Sequence, residues 1–189
     1  MNPLALSPTD TGLILVDIQE RLASSMPEAP LEKTLRNWAA LAEIGARLHL
    51  PVAVSEQYPK GLGHTLPLLR EVLGKTTPPP RFVDKLDFDG MRVPLFEQLV
   101  MSSGRRSWIV AGMETHVCVF QTVRGLRERG FHVHVITDAV LSRKKQDWRI
   151  GLSLMGQAGA VLTSTEAALF DLIGRAEGDH FKALSKLIR

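Results

Sequence analysis

The chain alternates between short, wholly apolar runs and longer segments whose apolar residues recur at helical spacing. Leu13, Ile14, Leu15 and Val16 form an unbroken apolar run between Thr11-Gly12 and Asp17, the pattern of a strand covered on both faces. Val52-Ala53-Val54, Trp108-Ile109-Val110-Ala111, residues 132–137 and Ala160-Val161-Leu162-Thr163 have the same character, and a further strand is expected over 81–85. Between the first two runs, residues 31–48 put Leu31, Leu35, Trp38, Leu41 and Leu48 near one helical face, and Pro51 stops the helix. Residues 66–73, 94–101, 116–129 and 147–158 also read as helices, the last two closed by Gly130 and Gly159. Ser164 or Thr165 caps a helix running to about residue 173. The Pro- and Gly-rich residues 58–80 read as a long excursion. In the tail, residues 179–189, Phe181, Leu184 and Leu187 share a helical face that must dock on the domain or on a partner subunit.

Six strands alternating with helices predict an α/β fold, a three-layer Rossmann-like domain with a six-stranded, mostly parallel sheet. Residues 1–189 are expected to form this single domain. Chemistry in such sheets gathers at the C-terminal ends of the strands. That rule singles out Asp17, Gln57, Lys85, the turn 112–118 and Asp138.

Composition narrows the choices. With 44 % hydrophobic and 23 % charged residues the chain is ordinary for a globular protein, so disorder is not expected. One cysteine excludes an internal disulfide and any paired-cysteine zinc site. The charge balance of 23 − 20 = +3 forms no basic stripe interleaved with aromatics, so no nucleic-acid partner is expected. Residues 1–10 carry no basic and apolar leader, and the run 13–16 is too short to cross a bilayer. No membrane association and a cytoplasmic location are the resulting expectations.

Three residues stand out chemically. Cys118 falls in the first turn of the helix after the fourth strand of the core, where unpaired N–H groups favour a thiolate. A small buried hydrophobe is the other role open to a lone cysteine. Asp17 ends an otherwise apolar strand, as a turn former or as a partly desolvated base. Lys85 ends another strand, as a solvated edge residue or as a charge that lowers the thiol pKa and holds a carboxylate ionised. Spacing alone does not join the three.

Val16-Asp17-Ile18-Gln19, Lys85 followed by Asp87-Phe88, and Gly112-Met113-Glu114-Thr115 with Val117-Cys118-Val119 resemble, in order and placement, the landmarks of the isochorismatase-like cysteine hydrolases. The resemblance covers nearly the whole chain. Residues 55–63 and Leu162-Thr163-Ser164-Thr165-Glu166 resemble the isochorismatase domain-containing subgroup in particular. The resemblance implies an Asp–Lys–Cys triad at Asp17, Lys85 and Cys118, and a non-proline cis peptide at Met113–Glu114. The backbone N–H groups of Glu114 and Cys118 would then form an oxyanion hole. Gln57, Tyr58 and Phe88, flanking the triad positions on strand-end loops, are expected as substrate-binding pocket walls.

Nicotinamidases of this superfamily bind a metal through an Asp and several His after the second strand. Here that region reads Ser55-Glu56-Gln57-Tyr58-Pro59 with only His64 nearby, so no metal is expected. His132 and His134 alternate along a strand as ordinary packing, and Gly61-Leu62-Gly63 lacks the context of a dinucleotide loop, so no cofactor is expected. Arg143-Lys144-Lys145 reads as a solvated loop, with the lesser prospect that one of them reaches the crevice or a subunit contact.

The expected activity is hydrolysis of a small-molecule amide through a covalent thioester on Cys118. The alternatives are vinyl-ether hydrolysis of the isochorismatase type, which needs no thiol, and a non-catalytic binding or scaffold protein with a relic site. The chain is expected to form a homo-oligomer, a dimer or a higher even number, from the tail and from the family resemblance.

Overall fold

The computed structural model describes residues 2–187. Six strands, β1 (Thr11–Val16), β2 (Val52–Gln57), β3 (Arg81–Lys85), β4 (Ser107–Met113), β5 (His132–Leu141) and β6 (Val161–Thr163), form one sheet in the order β3-β2-β1-β4-β5-β6. Every neighbouring pair is parallel, so the sheet is wholly rather than mostly parallel. The order reverses between β1 and β4, which opens a crevice at their C-terminal ends.

The apolar run of β1 works by strand alternation. Leu13 and Leu15 join one buried cluster and Ile14 and Val16 the other, because successive side chains point to opposite faces. On the first face lie α2 (Glu28–Arg47), α4 (Pro67–Leu73), α8 (Thr165–Ile173) and α9 (Gly178–Leu184). On the second lie α5 (Pro94–Ser102), α6 (Phe120–Glu128) and α7 (Lys145–Gln157). Two short helices, α1 (Glu20–Ala23) and α3 (Pro59–Leu62), touch each other near the C-terminal edge. No helix among the described residues is long and apolar enough to cross a membrane.

Three local readings change. The helix expected over 116–129 begins as a π-helical turn, Thr115–Val119, and becomes α-helical only at Phe120. Strand β5 runs to Leu141 rather than 137, because the polar pair Thr137-Asp138 sits in a bulge: Val110 pairs with Val135, but Gly112 pairs with Val140. Helix α2 secures that bulge, with Asn37 Nδ2 donating to the Asp138 carbonyl (2.7 Å) and Trp38 Nε1 to the Ala139 carbonyl (2.7 Å). The excursion 58–80 carries two short helices, α3 and α4, where one was expected.

The tail resolves its own alternative. Helix α9 packs on α2 and α8 of the same chain, with Leu184 fully buried and Phe181 against Phe170. Leu187 is partly exposed, and residues 188–189 of the expected segment lie outside the described residues. The tail therefore supplies no argument for a partner subunit. Leu184→Ala is expected to lower the unfolding free energy by about 2–3 kcal/mol, measured by urea denaturation; an unchanged midpoint would contradict this docking.

Candidate active site

The C-terminal ends of β1, β3 and β4 bring Asp17, Lys85 and Cys118 to one point. Strand register does the alignment: Val16 lies opposite Ser55 on β2 and Gly112 on β4, and Gln57 opposite Lys85. Gly112 is required at this crossing. At φ +134° a Cβ there would lie 2.0 Å from the Val16 carbonyl oxygen, so only glycine lets β4 pass this close to the residue before Asp17. Asp17 itself has φ +50°. Its N–H donates to the Ser55 carbonyl (3.1 Å) and its carbonyl accepts from the Gln19 N–H (2.9 Å), which hold the residue in this uncommon conformation.

The side chains form a closed polar cluster. Lys85 Nζ lies 2.7 Å from Asp17 Oδ2, and both side chains are inaccessible to solvent, at 1 % and 0 % exposure. Ser55 Oγ donates to Asp17 Oδ1 at 2.6 Å. Lys85 Nζ also donates to Gln57 Oε1 (2.7 Å) and to the Asp87 carbonyl (3.2 Å). Each buried charge thus has neutral partners besides the opposite ion, as burial of charge demands.

Cys118 completes the cluster, but its electrostatics differ from the sequence reading. Burial pushes its thiol pKa up to about 12, and the Asp17 carboxylate adds to the rise; the Lys85 ammonium opposes it without prevailing. The resting group is therefore a neutral thiol, not a thiolate stabilised by a helix end. The π-helical turn places it 7 % exposed, where Asp17 and Lys85 both act on its ionisation.

The other expected residues divide. Gln57 spends both ends of its amide on the framework: Oε1 accepts from Lys85, and Nε2 donates to the Leu86 carbonyl (2.9 Å). Tyr58 and Phe88 are half exposed on the loops beside the cluster. Tyr58 lines a cavity of about 290 Å³ with Pro59, Lys60, Asp84, Lys85 and Leu86. Glu114 follows a cis Met113–Glu114 peptide, and its N–H meets no acceptor among the described residues.

Ser55 escaped the sequence reading; its signal is a polar residue ending an apolar strand beside β1. Arg143 stays exposed in its loop as expected, but it also meets the lesser prospect for 143–145, reaching Glu114 beside the crevice through its backbone N–H, Nε and Nη2, each at 3.1 Å.

The position after β2, where a nicotinamidase-type metal would sit, is filled by an organic ion cluster. Buried Glu56 accepts from His64 Nδ1 (2.9 Å), the Thr65 N–H (2.6 Å) and hydroxyl (2.7 Å), and Arg70 Nη2 (2.6 Å). A guanidinium occupies the carboxylate that a cation would need, and only one histidine is at hand, so these residues do not fit a metal.

Residues 11–167 match the isochorismatase domain family. Isochorismatase domain-containing protein 2 from Xenopus laevis is 35 % identical over 184 residues, 97 % of this chain and 85 % of that protein. Among solved structures, MAR1 ribonuclease from Caenorhabditis elegans is 39 % identical with a TM-score of 0.88, covering 97 % of this chain and 92 % of that one. The YcaC gene product of Escherichia coli, described as an octameric hydrolase of unknown specificity, is 25 % identical with a TM-score of 0.90, covering 98 % and 89 %.

The Glu56 cluster makes a prediction of its own. Burial opposes ionisation of Glu56, but hydrogen bonds from His64, Thr65 and Arg70 outweigh it and hold the carboxyl at about 2 against an ordinary 4.5. The folded state then takes up this proton later than the unfolded chain. Its contribution to stability is complete above pH 4.5 and is lost as pH falls toward 2. Glu56→Gln is expected to flatten the pH dependence of the unfolding midpoint across that window while lowering stability at neutral pH; an unchanged acid limb would refute the assignment.

Proposed function

This chain belongs to the isochorismatase family, and from that premise we propose that Asp17, Lys85 and Cys118 hydrolyse a small-molecule amide through a thioester. The family and its fold support a hydrolase. The observation that carries the finer reading is a buried thiol whose ionisation is governed by a carboxylate that is itself paired with an ammonium.

The chemistry follows from the neutral thiol. With its pKa near 12, Cys118 is not a free thiolate, so Asp17 takes the proton as the sulfur attacks the carbonyl carbon. The carbonyl π pair moves onto oxygen, where the Glu114 and Cys118 N–H groups receive it. Collapse breaks the C–N bond, and the amine leaves with the proton held by Asp17. Asp17 then takes a proton from water as the hydroxide attacks the thioester. Release of the acid returns the proton to sulfur. Lys85 balances the charge of Asp17 at 2.7 Å throughout.

Substrate enters beside Tyr58, Lys60 and Leu86, whose cavity borders Lys85. Gln57 orients Lys85 rather than acting as an open wall, while Tyr58 and Phe88 flank the entrance. This enclosure favours a small molecule over a polynucleotide, whose phosphates would have to reach side chains closed to solvent. Vinyl-ether hydrolysis calls for an acid and no thiol, whereas here the carboxylate is committed to an ion pair beside a thiol. The fold it shares with an octameric hydrolase supports assembly of this chain into a homo-oligomer of even subunit number.

A panel of small amides incubated with the protein, with mass detection of an acyl group on Cys118, tests the reading. Cys118→Ala is expected to abolish turnover with folding intact, and Asp17→Asn to reduce it by about 10²-fold or more. A tenth of the wild-type rate retained by Cys118→Ala would reject the nucleophile, and a scaffold protein would acquire no acyl group. Prolonged chelation is expected to leave turnover unchanged, because Arg70 and a single histidine occupy the alternative metal position.

A further inference from the structure

The carboxylate of Glu114 has no part in the chemistry above, yet it is one of the most constrained groups near Cys118. It is 8 % exposed, and Arg143, in the loop between β5 and α7, supplies three hydrogen bonds to it. Burial alone would raise its pKa; the hydrogen bonds and charge of Arg143 reverse this, and His116 adds a smaller contribution. The Glu114 carbonyl is equally fixed, accepting from the Val117 N–H (3.0 Å) and the Val119 N–H (3.3 Å). On the other side Met113 is held in β4 opposite Leu141. Glu114 N–H is left between these anchors without an acceptor among the described residues.

The same loop grips the turn at further points. His116 Nδ1 lies 3.1 Å from Ser142 Oγ, and His116 Nε2 lies 3.9 Å from Asp147. Gly151 of α7 packs so closely that a Cβ there would lie 2.7 Å from the Thr115 carbonyl oxygen. The loop and α7 thus form a platform under the turn that carries Cys118, and Arg143 makes its strongest connection.

We propose that Arg143 is a positioning residue for acyl transfer: by clamping the Glu114 carboxylate it aims the Glu114 N–H at the oxygen that becomes negative during attack by Cys118. The proposal rests on the acyl-transfer reading above. No substrate contact is assigned to Arg143; its side chain is 60 % exposed, with Nε and Nη2 on the Glu114 carboxylate. Lysine is not an equivalent, because a single ammonium cannot bridge both carboxylate oxygens as Nε and Nη2 do.

The test uses p-nitrophenyl acetate as a generic acyl donor on the full chain. In the reaction followed, the Cys118 sulfur bonds to the acetyl carbon, the thiol proton passes to Asp17, and p-nitrophenolate departs with the electron pair of the broken C–O bond. Its release gives the rate, and the mass of one acetyl group on Cys118 confirms the site. Arg143→Ala is expected to lower the maximal acylation rate by about tenfold or more while changing the half-saturating concentration less than about twofold, the pattern of an interaction made in the transition state. Arg143→Lys is expected to recover part of the rate. In a Glu114→Gln background, Arg143→Ala should cost less than about threefold further, since both changes disconnect the same clamp.

Wild-type acylation rates in Arg143→Ala, or effects that multiply independently in the double variant, would overturn the proposal and leave the acyl-transfer reading intact. Failure of the wild type to gain an acetyl group on Cys118 would overturn the reading itself, and the proposal with it. Urea midpoints are measured for each variant. If Arg143→Ala does not fold, Arg143→Gln and Arg143→Lys carry the same comparison; a loss of stability without a loss of acylation rate would reduce Arg143 to a structural ion pair and refute its positioning role.

Discussion

The buried ion pair between Asp17 and Lys85 is the constraint on which the rest of the site depends. Removing two charges from water costs several kcal/mol per ion, and the attraction between them repays this only with precise geometry and satisfied lone pairs. Here Ser55 serves the carboxylate, while Gln57 and the Asp87 carbonyl serve the ammonium. These partners stand on β2 and on the loop after β3, so the pair exists only if three parallel strands are in register. A one-residue slip of β2 would turn Ser55 to the opposite face of the sheet. The fold and the charge pair therefore specify one another: the sheet brings the ions together, and their desolvation penalises every other register.

The same pair sets the state of the thiol. A lone ammonium beside Cys118 would favour the thiolate, but burial and then the Asp17 charge outweigh it, so the sulfur keeps its proton. A buried thiol held neutral in this way is poorly reactive toward solution electrophiles, which limits side reactions of the only cysteine.

Much of this architecture is written in local pattern. The apolar run 13–16 reports a strand covered on both faces because both faces are in fact covered, and the strand-end rule finds Asp17, Lys85 and the 112–118 turn. What pattern does not carry is geometry between segments. Nothing local distinguishes a π-helical turn at Thr115–Val119 from an α-helical start, yet that difference positions Cys118. Helix-end and lysine effects visible in sequence favour a thiolate, but burial, a property of the assembled site, outweighs them. Sequence leaves open which, if any, of Arg143, Lys144 and Lys145 reaches the crevice; the partner of Arg143 lies 29 residues away, beyond any periodicity. The tail's apolar face was legible, but only packing shows that it covers α2 and α8 of its own chain.

The excursion after β2 is stitched to the segment that follows Asp17. Leu66 N–H donates to the Ile18 carbonyl (3.0 Å), Glu20 N–H to the His64 carbonyl (3.0 Å), and Gln19 Nε2 to the carbonyls of Gln57 (3.0 Å) and Gly63 (2.6 Å). Residues 18–20 and 57–66 thus behave as one mechanical unit although the chain leaves and returns between them. A chimaera that grafts the corresponding excursion of a relative onto this scaffold must carry the short stretch after Asp17 as well. Recombination boundaries placed between the two would separate hydrogen-bonding partners and disturb the carboxylate, so changes to this excursion are inherited as a matched pair of segments.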